Sequence, residues 1–159
     1  MNLNLTAILA LWLISITVMD LRSRKVKNWM VLLGLATGLA ALFSGAQPLQ
    51  VSAWSGLLGM GVAFAALLPL YALRWMGAGD VKFAAVAGLW FGLSPELLAI
   101  WLGGSLLAGL HGLAVLAWRR RLVGSVQLTL NPKAIQRSIP YAGYMALVAL
   151  ALIMRAGQA

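Results

Sequence analysis

The chain has 159 residues, 62% hydrophobic and 9% charged, with a formal net charge of +9 and no cysteine. A soluble domain carries about a quarter charged residues, so this chain cannot clothe a water-facing surface, and lipid must be its main solvent. Disulfides, zinc–thiolate centres and thiol catalysis are excluded within the chain.

Long apolar runs recur, each near the length that crosses a bilayer as a helix. They lack the alternation of a barrel strand, and backbone groups in lipid must bond within their own segment. The expected fold is therefore an all-α membrane bundle of about six transmembrane helices, forming a single integral-membrane domain over residues 1–159. The first span covers residues 3–19. It has no basic segment before it and no small-residue cleavage site, so it reads as a retained span. A polar cluster follows, from Asp20 through Arg22, Arg24, Lys25 and Lys27 to Asn28.

The second span covers residues 29–43 and carries Gly34 and Gly38, a spacing that lets helices approach closely. An uncharged loop with Pro48 leads to a third span over residues 51–73. Arg74, Trp75 and the stretch Gly77-Ala78-Gly79-Asp80-Val81-Lys82 come next. The fourth span, residues 81–93, is short and contains Gly88 and Gly92. Ser94-Pro95-Glu96 reads as a helix start, with a serine cap, proline in the first turn and an acid at the positive end of the dipole. The fifth span, residues 97–118, stops at Arg119-Arg120-Arg121. The long loop 122–137 holds Asn131, Pro132, Lys133 and Arg137, and the last span covers residues 139–154.

With six spans, eleven of the twelve basic residues fall on one side and only Arg155 on the other. By the positive-inside rule, that basic side is cytoplasmic and both termini lie outside. The same pattern explains the net charge without nucleic acid, which is set aside as a partner. Trp29, Trp75 and Trp118 fit a cytoplasmic aromatic belt, and Trp54 and Trp90 an outer one. Trp12 and Trp101 fall nearer mid-span, as packing residues.

The chain has only three acids: Asp20, Asp80 and Glu96. Asp20 closes the first span, at the negative end of a helix dipole, so helix stability does not account for it. The plain alternative is a solvated acid paired with Arg22 or Arg24. Asp80 opens the fourth span, where an aspartate is also a good helix cap. Taken together, the two lie at one depth on one side. Acids within spans are functional by default. Two carboxylates within a few Å do not both ionise easily and so share a proton. One member then activates water and the other protonates a leaving amine.

Gly77 and Gly79 permit positive φ and the close approach of another backbone, such as an extended substrate. The alternative is a plain loop. Lys82 is read equally as a positive-inside marker, a lipid-phosphate contact, a charge beside the acid or a substrate contact. His111 has no second histidine nearby, so packing or a hydrogen bond explains it better than metal ligation.

The stretch Gly77-Ala78-Gly79-Asp80-Val81-Lys82 resembles the G-x-G-D-x-K signature of type IV prepilin peptidases, which are membrane aspartic proteases. Asp20-Leu21-Arg22 with Val26-Lys27-Asn28 resembles the family's first-aspartate region, and Ile139-Pro140-Tyr141 resembles its last motif. The three segments keep the family's order and span the chain. Lys27 stands where proline is usual, and Ala142 where glycine is usual, with Gly143 one place later.

The resemblance implies that Asp20 and Asp80 are the catalytic pair. It also implies that Gly77, Gly79, Lys82, Pro140 and Tyr141 shape the site or bind substrate. The substrate would be a prepilin or pseudopilin, cleaved after a glycine at the cytoplasmic face of a bacterial inner membrane, with pilus assembly machinery as a further partner. No cofactor or metal is implied. The chain lacks the cysteine-bearing cytoplasmic domain of bifunctional members, so cleavage without N-methylation is expected. Its size is most similar to the small peptidases of tight-adherence (Flp-type) pili, with archaeal preflagellin peptidases a near relation. Two other readings compete: a small proton- or ion-coupled transporter using the paired acids, and a structural subunit of a pilus machine.

Overall fold

A computed structural model describes residues 3–122 and 139–157. Those residues form six helices: α1 (Leu3–Ser23), α2 (Asn28–Phe43), α3 (Ala53–Ala72), α4 (Ala78–Phe91), α5 (Pro95–Leu122) and α6 (Tyr141–Ala156). Each expected span coincides with a helix, and the protein is an all-α membrane protein. Three stretches, Leu3–Ser23, Ala53–Ala72 and Pro95–Trp118, are long and apolar enough to cross a bilayer, while α2 and α6 are shorter apolar helices. Asn131, Pro132, Lys133 and Arg137 of the long loop lie outside the described residues, as do the side chains of Arg119, Arg120 and Arg121.

Helix α4 is the pillar of the bundle. Its 14 residues reach about 21 Å, short of a hydrocarbon core of about 30 Å. It is instead enclosed by protein: every residue from 83 to 91 is buried, and α2, α3, α5 and α6 all pack on it. The lipid-facing surface belongs to the other helices. Leu102, Leu106, Leu110 and Leu113 recur at helical spacing on α5 and are all more than half exposed.

Small residues set the helix contacts. Trp12 of α1 lies on Gly34, donates its indole N–H to the Met30 carbonyl at 2.8 Å, and stacks on Phe83 with ring centroids 5.4 Å apart. Trp90 of α4 lies on Gly38 and donates to the Gly34 carbonyl at 3.0 Å. The Gly34/Gly38 face is therefore a seat for two indoles. Trp90 is only 1% exposed, which corrects its expected place in an outer aromatic belt. Its N–H meets a carbonyl inside the bundle instead of the membrane interface. Trp29, Trp54, Trp75 and Trp118 are all exposed, in keeping with belt positions, and Trp101 packs half-buried against the core.

Helix boundaries at one end of the bundle differ from expectation in a way that matters. Helix α1 does not stop before Asp20 but continues to Ser23, where Arg24 turns into the left-handed region at φ 52°. Helix α4 starts earlier than expected, with Gly77 as its cap. Asp80 is thus the third residue of its helix and not the cap itself. At the start of α5 the expected signal holds: the Ser94 hydroxyl accepts from the Leu97 amide at 3.4 Å.

Candidate active site

The site forms where α1 ends and α4 and α6 begin. Asp20 lies in the last turn of α1 and is 3% exposed. It is therefore not the solvated acid of the plain alternative, paired with Arg22 or Arg24. Its Oδ2 accepts a hydrogen bond from the Gly143 amide at 2.8 Å. Asp80 is half-buried, and its Oδ1 accepts from the Ala142 amide at 3.0 Å. The two acids are 123 and 62 positions in sequence from their donors, yet those donors are consecutive residues. Asp80 lies within electrostatic reach of Asp20.

The local fold explains why these atoms meet. Gly77 N–H donates to Asp80 Oδ2 at 3.2 Å, while the Asp80 amide donates to the Gly77 carbonyl at 3.1 Å. This reciprocal clasp folds the first turn of α4 and fixes the Asp80 rotamer, as an acid at the third helix position does in a capping box. Pro140 is the cap of α6 and is buried. The first amides of a helix have no partner within it, so those of Ala142 and Gly143 remain free for the acids. Thr17, one turn before Asp20, bonds the Leu13 carbonyl at 2.9 Å and reaches the Gly143 carbonyl at 3.5 Å.

The expected glycine roles change. Gly77 has φ −75° and Gly79 has no positive φ, so neither is needed for backbone freedom. Close approach is the operative reason. A side chain at Gly79 would meet Val26 Cβ at 3.3 Å, with the Val26 backbone at 3.7 Å. The neighbour beside Gly79 is thus the chain's own α1–α2 connection and not space held open for a substrate. Lys27 caps α2 at φ −72°, ψ 138°, an extended conformation that proline also adopts.

Lys82 turns away from Asp80. Its ammonium donates to Asn28 Oδ1 at 3.1 Å, tying the start of α2 to α4. The bond is exposed, so its loss should cost about 1 kcal/mol. Lys82→Ala and Asn28→Ala are therefore expected to lower activity by similar small factors, below about tenfold, and the double variant no further. Rates of the three variants in one assay check this; a Lys82 effect far beyond the Asn28 effect would return the ammonium to the substrate.

The Tyr141 hydroxyl bonds to α5 and not to the acids. It pairs with Ser105 Oγ and reaches the Trp101 carbonyl at 3.4 Å, pinning the start of α6 to α5. His111 packs at a tilt against Tyr144, ring centroids 5.8 Å apart, and among the described residues no group of three or more His, Cys, Asp or Glu side chains is placed to hold a metal ion. Sequence reasoning missed the two amides, Thr17 and Ser105. The amides carry no residue signature at all; a threonine one turn before a buried acid was the only visible hint.

A family model for the type IV leader peptidase family matches residues 7–113. That stretch contains both Asp20 and residues 77–82 and ends before α6. No curated protein and no solved structure matches the chain. With more than half of its length matched, the chain belongs to the type IV leader peptidase family.

Proposed function

We propose that the chain is an aspartic endopeptidase that removes the leader of a type IV, Flp-like prepilin or pseudopilin at the cytoplasmic face of a bacterial inner membrane. The observation that carries this reading is the convergence of two of the chain's three acids on one turn of α6. Membership of a leader peptidase family supplies the reaction class, and the basic loops beside Asp20 and Asp80 support the cytoplasmic side. Both termini then lie outside. Gly77, Gly79, Lys82, Pro140 and Tyr141 shape the site by placing the turn that carries Asp80 and the helix end that receives both acids.

The pair works with one proton between its two carboxyls. The ionised member takes a proton from water as the water oxygen bonds to the scissile carbonyl carbon. The protonated member gives its proton to the carbonyl oxygen, leaving a neutral gem-diol. Collapse breaks the C–N bond. The first acid passes its proton to the departing nitrogen, and the second recovers one from the diol. Both carboxyls end as they began, with no covalent intermediate, cofactor or methyl transfer.

The test is cleavage by the purified chain, in detergent or nanodiscs, of a prepilin peptide spanning leader and apolar segment. Mass spectrometry should find one cut after a glycine, at a rate that EDTA leaves unchanged. Rate against pH should be bell-shaped, because the pair fails when both carboxyls are charged or both neutral. No cut in any prepilin offered, with the protein folded, would end this reading.

A further inference from the structure

We infer that the backbone amides of Ala142 and Gly143 are the positioning groups of the acid pair, so that docking the start of α6 between α1 and α4 is what assembles the site. The inference deepens the aspartic reading above and rests on it.

Two crowded carboxyls repel whenever both ionise, and the helices that carry them pack chiefly on other partners, α1 on α6 and α4 on α3. Helix α6 supplies the opposing attraction. Its first amides point out of the helix, its dipole places partial positive charge there, and each of two consecutive amides takes a different carboxylate. The amides cannot drift, because the turn that carries them is held on both flanks. Tyr141 bonds to Ser105 and the Trp101 carbonyl on α5, and Thr17 reaches the Gly143 carbonyl from α1. Ala142 is wholly buried, and a side chain at Gly143 would rest against Asp20 Cβ and Oδ2 at 3.4 Å. Carboxylates held by a shared, rigid pair of donors keep their spacing when substrate enters.

Among the described residues, titratable groups come together here from three helices. Asp20 comes from α1 and Asp80 from α4. From α6, Tyr144 feels the charge of Asp20 and Tyr141 that of Asp80. Lys82, as near in sequence to Asp80 as Arg22 is to Asp20, is engaged by Asn28. Burial and the neighbouring acid oppose ionisation of Asp80, while the amides of Ala142 and Gly77 favour it.

The chain has only two aspartates, so carboxyl-labelled aspartate gives two side-chain carbon signals, assigned by their loss in Asp20→Asn and Asp80→Asn. In the unmodified protein, the Ala142 amide proton should shift with the same pH midpoint as the Asp80 carboxyl. The Gly143 amide should follow Asp20. Replacing one amide by an ester through an α-hydroxy acid at position 142 removes a single donor. It should move the Asp80 titration up by about one pH unit, with Asp20 not following it upward. The same replacement at position 143 should move Asp20 instead. The acid limb of the cleavage profile should move in the variant whose ionised acid has lost its donor. Amide shifts indifferent to both carboxyls, or an ester that moves the wrong carboxyl or neither, would overturn the assignment. The titration is read without substrate, so it fails or succeeds independently of whether the chain cleaves a prepilin. Should an ester variant not fold, the amide titration of the unmodified protein decides alone.

Discussion

Asp20→Asn and Asp80→Asn are each expected to lower prepilin processing by at least about a thousandfold while the protein still inserts and folds. Asparagine is the right probe because it is isosteric and keeps a carbonyl oxygen. In Asp20→Asn that oxygen still accepts from the Gly143 amide, and in Asp80→Asn it still accepts from Ala142. What is lost is the charge and the transferable proton. Alanine would confound the result, because a buried amide left without an acceptor costs about 1–3 kcal/mol. The double variant should be no worse than either single one, since members of a catalytic unit are not additive. Conversion of precursor to mature pilin on a gel reads activity, and thermal unfolding in detergent reads the fold. Processing that survives in either single variant would remove the aspartic mechanism. If the variants instead lose ion flux in proteoliposomes, the transporter reading takes its place.

Much of this site was legible in the residues. Scarcity did most of the work: a chain with three acids does not place two of them at one end of its spans without reason. The charge asymmetry and the Gly77–Asp80 stretch pointed to the same end, and the family match now covers both acids. What the sequence could not carry was backbone. The donors that join the acids are amides, and any residue but proline would have supplied them. Pro140 and Tyr141 were legible as a motif, but their task is to cap and anchor the helix whose next two amides do the joining. The turn at Gly77–Asp80 misled for a related reason. Glycine suggests positive φ, whereas here both glycines have ordinary backbones and serve close packing against Asp80 and Val26. The misplacement of Trp90 has a different cause. In a lipid-embedded helix the buried and lipid-facing sides are equally apolar, so no periodicity marks which one faces protein. The Asp80 helix is buried on all sides from Phe83 to Phe91, and nothing in its composition separates that from a short span.

The same limit hides a close backbone crossing between α3 and α4, and it yields the second large effect. Gly59 of α3 and Gly88 of α4 cross backbone to backbone. A Cβ at Gly59 would run into the Gly88 carbonyl and lie 2.6 Å from the Gly92 carbonyl carbon; one at Gly88 would run into the Gly59 carbonyl and lie 2.9 Å from the Met60 nitrogen. These obstacles are helix backbone, which cannot swing aside as a side chain does. The helices must separate, and with them the buried face of α4 from Phe83 to Phe91. Gly59→Val and Gly88→Val are therefore expected to destabilise the protein by about 3 kcal/mol or more, at the upper end of overpacking. Processing falls with the folded fraction. Gly61, two residues along α3, has open space where its Cβ would stand. Gly61→Val therefore adds the same bulk to the same helix without the clash, and its unfolding midpoint should stay near that of the parent. Thermal unfolding of the three variants in one detergent makes the comparison. Equal losses at Gly59 and Gly61 would mean that valine is harmful to this helix in general and that the Gly59–Gly88 crossing is not what holds α4, and Asp80 with it, in place.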